Sequence, residues 1–156
     1  MNDYSQDLHF DAILPCQKVV SHKQIFMTFA KQAEKHLGIS AEKLFDLLIE
    51  KESSASSGIG NGVAIPHLQV RGPQKPFTII ATLERPLDFN AIDNEPVDIV
   101  CLVMSPQSDG PYHLRRLSRI SRLLKNKALR KKLVEARDTQ TIHALLIDPE
   151  GWLMAA

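Results

Sequence analysis

The apolar positions change their period along the chain, and each change marks an element. Ile25, Phe29 and Ala33 recur at i, i+4 and i+8, the spacing of one helix face. Ser21 stands where an N-cap belongs and Gly38 where a left-handed stop belongs, so the spacing predicts a helix through His36. Ser40 caps a second helix, with Glu42 in its first turn and Leu44, Leu47 and Leu48 turned inward. The pattern then shortens. Val63-Ala64-Ile65 reads as a short buried strand, stopped by Pro66. The β-branched run Phe77 to Leu83 predicts a strand, and Val97 to Met104 predicts another, apolar enough to be buried on both faces. Three helical stretches follow, at about 111–125, 127–136 and 139–147. Residues 1–10 are polar and predict a mobile arm, Phe10 to Pro15 a short lead-in packed on the domain, and Gln69 to Lys75 a loop. The expected architecture is a single α/β domain over residues 11–150, a central mixed sheet with helices on both sides.

Composition narrows the class. A chain of 156 residues makes one domain with a proper core. The formal charge of +1 argues against a polyanion binder. Cys16 and Cys101 make neither a metal spacing nor a redox pair, and Cys101 sits in an apolar run as a buried thiol. No basic stretch followed by an apolar one opens the chain, and no run approaches about 18 apolar residues. A cytoplasmic protein without membrane insertion is the expectation.

The candidate chemistry lies in Gly58 to His67, Gly-Ile-Gly-Asn-Gly-Val-Ala-Ile-Pro-His. A glycine loop, a short strand, a proline and an imidazole follow in order. A surface turn with an incidental histidine is the bland alternative. The segment Ser56 to His67 resembles the phosphohistidine motif of the type-2 enzyme IIA proteins of the bacterial phosphoenolpyruvate-dependent phosphotransferase system. A second block, Asn90 to Asp98, resembles the nitrogen-regulatory branch of that family in particular, and the likeness extends over roughly residues 10 to 148.

The resemblance implies a phosphoryl carrier with His67 as its nucleophile. The donor would be an HPr-like protein, itself phosphorylated from phosphoenolpyruvate by enzyme I. Phosphorylation would then select regulatory protein targets. A neutral imidazole near pH 7 attacks through one nitrogen while the other is held by a partner. The product's oxygens need donors, for which Ser56, Ser57 and the amides around Gly58, Gly60 and Gly62 are placed in sequence. No acidic cluster near His67 suggests a metal, and no cofactor is expected. A His-Leu-x-x-Leu-Ser pattern, His113 to Ser118, matches the family's supporting histidine. His113 also shares a stripe with Leu117, Ile120 and Leu124, so it faces inward; a core histidine is the alternative. Lys51 stands where the family commonly has arginine, and a solvated lysine is the alternative. Leu68 replaces a small residue and is expected to narrow the pocket mouth or alter the partner surface.

The basic run from Arg115 to Arg137 has three readings: a solvated face, a docking surface for an acidic protein, or nucleic-acid contact. No aromatic residue interleaves the arginines, which counts against single-strand binding. Two rivals stand beside the regulatory reading. One is a sugar-specific IIA of the fructose or mannitol type that passes its group to a IIB component. The other is a binding module that is never phosphorylated.

Overall fold

The structure, a computed structural model, describes residues 8–73 and 75–147. Its centre is a six-stranded mixed sheet of β1 (Ala12–Gln17), β2 (Gly58–Gly60), β3 (Val63–Ala64), β4 (His67–Val70), β5 (Phe77–Leu87) and β6 (Val97–Pro106). The strand order is β1-β5-β6-β3-β2, with β4 also pairing β6. β5 and β6 run antiparallel, whereas β1 lies parallel to β5, and β3 and β4 lie parallel to β6.

Five helices cover the two faces: α1 (His22–Leu37), α2 (Ala41–Ser54), α3 (Pro111–Leu124), α4 (Lys127–Glu135) and α5 (Thr139–Ile147). α1 and α2 enclose one core with Ile25, Phe26, Phe29, Leu44, Leu48, Leu102 and Met104. α3 to α5 enclose the other with Ile99, Cys101, Val103, Ile120, Leu124 and Leu133. Alternation along β6 sends even-numbered Leu102 and Met104 to the first core and odd-numbered Cys101 and Val103 to the second. That is why Ile99 to Met104 is apolar throughout. Each large side chain so buried contributes about 1.5–3 kcal/mol.

The caps follow the local sequence. Ser21 Oγ accepts from the Gln24 amide, and Gly38 closes α1 at φ 72°. Ser40 Oγ accepts from the Lys43 amide at the start of α2. Leu47, expected inward, is 45% exposed, because α2 buries only the stripe through Leu44 and Leu48.

Three expectations change. The lead-in at residues 10–15 is the edge strand β1; Pro15 is tolerated there because an edge strand leaves some amides unpaired. β1 is irregular beyond Leu14, where Cys16 takes φ 51° and its amide donates to Thr82 Oγ1 at 2.9 Å. The expected loop at 69–75 begins later, because Gln69 and Val70 belong to β4. Of the expected arm, residues 1–7 lie outside the described residues; Leu8 and Phe10 pack against the second core. Residues 148–150 of the expected domain also lie outside the described residues.

Candidate phosphoryl-transfer site

β2 and β3 form a tight antiparallel hairpin, and the chain continues through Ile65 and Pro66 into β4. His67 opens β4 rather than following a strand end, and it pairs with Val103 of β6. The Pro66 carbonyl accepts from the Val103 amide at 3.0 Å, so the proline, which has no N–H of its own, does not interrupt the hold on β6. Odd-numbered Val63 and Ile65 face the second core, and His67, at the same parity, meets α3 on that side.

Three elements converge on the imidazole. From α2, Lys51 Nζ lies 3.0 Å from His67 Nδ1 and donates to the His67 carbonyl oxygen at 2.5 Å. From α3, His113 Nε2 lies 3.2 Å from the same Nδ1. His67 Nε2 has no partner among the described residues. Behind His113 the chain of polar atoms continues inward. His113 Nδ1 is 2.7 Å from Ser105 Oγ on β6, and Arg116 Nη1 donates to that Oγ at 2.6 Å. Asp109 anchors the Arg116 guanidinium at 3.1 Å.

This environment holds both rings neutral. Desolvation first, then the charges of Lys51 and His113, lower the His67 pKa to about 4. Desolvation, Lys51 and Arg116 lower that of His113, with Asp109 opposing. Desolvation lowers the Lys51 amine as well.

Two clefts meet at His67. One, of about 80 Å³, is lined by residues that include Lys51, Ala55, Ser56, Ser57 and Pro66. The other, of about 270 Å³, is lined by Ser56, Ser57, Ile59, Leu117, Ser118 and Ser121 among others. Both are smaller than the roughly 300–1,000 Å³ of a drug-sized ligand site. Ser57 Oγ is buried at this junction with no hydrogen-bond partner among the described residues.

The donors expected from the glycine loop are distributed differently. Ser56 Oγ donates to the Phe89 carbonyl. The Ser57 amide donates to the Glu52 carboxylate at 3.1 Å, and the Gly58 amide to Ser56 Oγ at 3.0 Å. Gly58 itself is packed against Ala91. Gly60 and Gly62 line neither cleft: Gly60 lies against Asp93 and Gly62 against Arg130. Their place at the hairpin tip, with φ of 98° at Gly60 and 79° at Gly62, accounts for these two glycines. The structure thus brings Lys51, Ser56, Ser57, His67 and His113 together and sets Gly60 and Gly62 apart.

Sequence reasoning also missed residues. Ser105 was not singled out from sequence, and Arg116 stood in the basic run for which a solvated face was one of three readings; Ser105 is fully buried and Arg116 nearly so. The available signal was that Arg116 stands three residues after His113, on the same helix face. Arg130 is likewise not free, since it pairs with Asp98 at 3.2 Å. Leu68 points into the first core and lines neither cleft, so it does not narrow the mouth. Among the described residues no group of three or more His, Cys, Asp or Glu is placed to hold a metal. No described helix is long and apolar enough to cross a membrane.

Comparison with known proteins follows the same lines. Residues 8–148 match the family described as phosphoenolpyruvate-dependent sugar phosphotransferase system, EIIA 2. A nitrogen regulatory protein of Bradyrhizobium diazoefficiens is 40% identical over 139 residues, covering 89% of this chain and 91% of that protein. A fructose-specific EIIA component of Haloferax volcanii is 35% identical over 103 residues, covering 66% and 67%. The crystal structure of the nitrogen regulatory protein IIA-Ntr from Neisseria meningitidis superposes with a TM-score of 0.80 at 27% identity, covering 86% of this chain and 92% of that one. With a family match that spans nearly the whole chain and a fold that agrees with it, the chain belongs to the type-2 EIIA family of the phosphoenolpyruvate-dependent phosphotransferase system.

Proposed function

We propose that this protein is a phosphoryl carrier of the nitrogen-regulatory kind, which accepts its group on His67 Nε2 from an HPr-like phosphohistidine protein. The observation that carries the reading is the asymmetry of the His67 ring. Nδ1 is engaged by Lys51 and His113, whereas Nε2 is unpartnered on a residue that lines both clefts. In the attacking form the ring proton sits on Nδ1 and the lone pair on Nε2. That pair forms the new P–N bond as the donor's P–N bond breaks and its electrons return to the donor imidazole. Nδ1 then sheds its proton to solvent. The buried Ser57 hydroxyl supplies a donor for a phosphoryl oxygen, and the Lys51 ammonium supplies positive charge.

The regulatory branch is favoured over sugar transport by the 40% identity to a nitrogen regulatory protein over most of both chains. On this reading the protein works in the cytoplasm, takes its group from the phosphocarrier and exchanges regulatory protein targets with its phosphorylation state. The test is phosphotransfer from phosphoenolpyruvate through purified enzyme I and an HPr-like carrier. The intact protein should gain about 80 Da, one phosphoryl group, labile in acid and stable in base. His67→Ala should gain nothing while keeping its fold. Full labelling of that variant would sink the assignment. Rapid onward transfer to a IIB cysteine would favour the sugar-specific reading instead.

A further inference from the structure

Beneath the histidine pair lies a polar cluster that phosphoryl carriage alone does not call for. Ser105 is fully buried near the end of β6, on the face that also carries Cys101 and Val103. Its Oγ meets two groups, His113 Nδ1 at 2.7 Å and Arg116 Nη1 at 2.6 Å. Arg116 is buried too, tied to Asp109, and its Nε has no partner among the described residues. A guanidinium kept in such a place at the expense of an orphaned N–H is held there for what its other nitrogens do.

The directions of these bonds follow from counting hydrogens. Arginine only donates, so Ser105 Oγ accepts from Arg116. Ser105 then has one hydrogen to place, and His113 Nδ1 is the remaining group in reach. If Nδ1 carried a proton, Oγ would accept twice and its own hydrogen would be stranded in the core, an unsatisfied buried donor. With Nδ1 bare, Oγ donates to it and every group is paired. The His113 proton then sits on Nε2, directed at His67 Nδ1. The Lys51 ammonium addresses the same atom, so two donors converge on Nδ1. A neutral ring carrying a phosphoryl group on Nε2 offers only a lone pair at Nδ1 and is satisfied by this arrangement. The unmodified ring is satisfied in the same way as its Nε2–H tautomer, which has no lone pair on Nε2 with which to attack. The attacking tautomer carries its proton on Nδ1 and is satisfied only if the whole relay reverses, which strands the Ser105 hydrogen.

We propose that Ser105 and Arg116 are positioning residues that fix His113 as a donor to His67 Nδ1 and so hold the unphosphorylated ring in its non-attacking tautomer, which slows phosphoryl exchange. This rests on phosphorylation of His67, as read above. The groups that face the two rings are Lys51 from α2, Ser105 from β6, Asp109 from the turn before α3 and Arg116 from α3. The lowered pKa of His113 keeps the ring neutral, so its tautomer is meaningful near pH 7.

The experiment has two arms on the full chain. In the first, imidazole nitrogen NMR of the unphosphorylated protein reads each ring's tautomer. Wild-type His113 should be protonated at Nε2 and bare at Nδ1, and Ser105→Ala or Arg116→Met should let the Nδ1–H form appear. In the second, the rates of phosphoryl uptake from a phosphorylated carrier and of return to the free carrier are measured. Ser105→Ala, an unstrained change in a buried strand, should speed both about 5- to 10-fold, the scale of one net hydrogen bond, because the attacking tautomer no longer strands a hydrogen. A wild-type His113 protonated at Nδ1, or rates unchanged by Ser105→Ala, overturns the proposal. Failure of His67 to take the group at all would overturn the carrier reading, and the effect on exchange with it, while the tautomers stay readable in the first arm.

Discussion

Lys51 Nζ holds His67 at two points, 3.0 Å from Nδ1 and 2.5 Å from the backbone carbonyl oxygen of the same residue. A single amine therefore fixes both the ring and the start of the strand that presents it. Lys51 stays exposed in the last turn of α2, so the solvated lysine considered from sequence is also one engaged with the imidazole. The contact is not a copy of what arginine would give, since an ammonium offers a point charge rather than a planar fork.

The lowered pKa of His67 gives the first prediction. The folded value of about 4 lies below the ordinary 6.5, so the unfolded chain takes up the proton first as pH falls. The ring's contribution to stability is full above about pH 6.5 and is lost as pH falls towards 4. The ring C–H resonances should titrate with a midpoint near 4. Lys51→Met should raise that midpoint, without restoring 6.5, because desolvation is the larger cause. A wild-type midpoint at 6.5 would contradict the geometry.

Gly62 gives a second. Its φ is 79°, and a Cβ there would lie 2.3 Å from Arg130 Nη2. Gly62→Ala strains the backbone and pushes aside a guanidinium that pairs with Asp98. The cost should be about 2 kcal/mol, lowering Tm by about 4–8 °C in a domain of this size. In an Arg130→Ala background the same change should cost less, because only the backbone strain remains; equal costs would place the clash elsewhere. Phosphorylation should survive in both, since Gly62 does not line the clefts.

The outer face of α3 gives a third. Arg115 and Arg122 are exposed there, while His113 and Arg116 point inward from the same helix. Arg115 lies 5.8 Å over the exposed Tyr112 ring. If this face receives an acidic partner, Arg115→Glu should slow association and flatten its salt dependence. The added phosphoryl charge of about −1.5 to −2 should lower that partner's affinity by 5- to 150-fold. Titration of one regulatory partner against both states, at low and high salt, checks both statements. Equal affinities would remove phosphorylation as a switch for that partner.

What could be read from the chain, and what could not, divides along physical lines. Helix caps and faces are local, so Ser21, Ser40 and Gly38 and the inward turn of His113 were legible from spacing alone. The family motif supplied His67, whose apolar approach and proline would otherwise fit an ordinary turn. β4 was hidden because four residues before a Gly-Pro pair show too little alternation to separate strand from loop. Ser105 and Arg116 were hidden because their roles depend on one another: a strand-end serine and a helix arginine become a relay only once α3 is folded over β6. The same holds for Gly62, where composition suggested a ligand cradle and the fold shows room made for Arg130.

The strand that carries His67 keeps one alignment against β6 throughout. The partner offset is the same at every pair, from Val63 with Ile99 and Ala64 with Val100 to His67 with Val103 and Val70 with Pro106. Pro66 removes one amide from the ladder but leaves its register unchanged. Loss or gain of one residue between Gly62 and His67 would therefore do more than shift the imidazole along by one place. It would turn the ring through the sheet into the core of α1 and α2, and present Pro66 or Leu68 to His113 instead. The distance from the hairpin to the histidine is thus a ruler whose units cannot be changed singly.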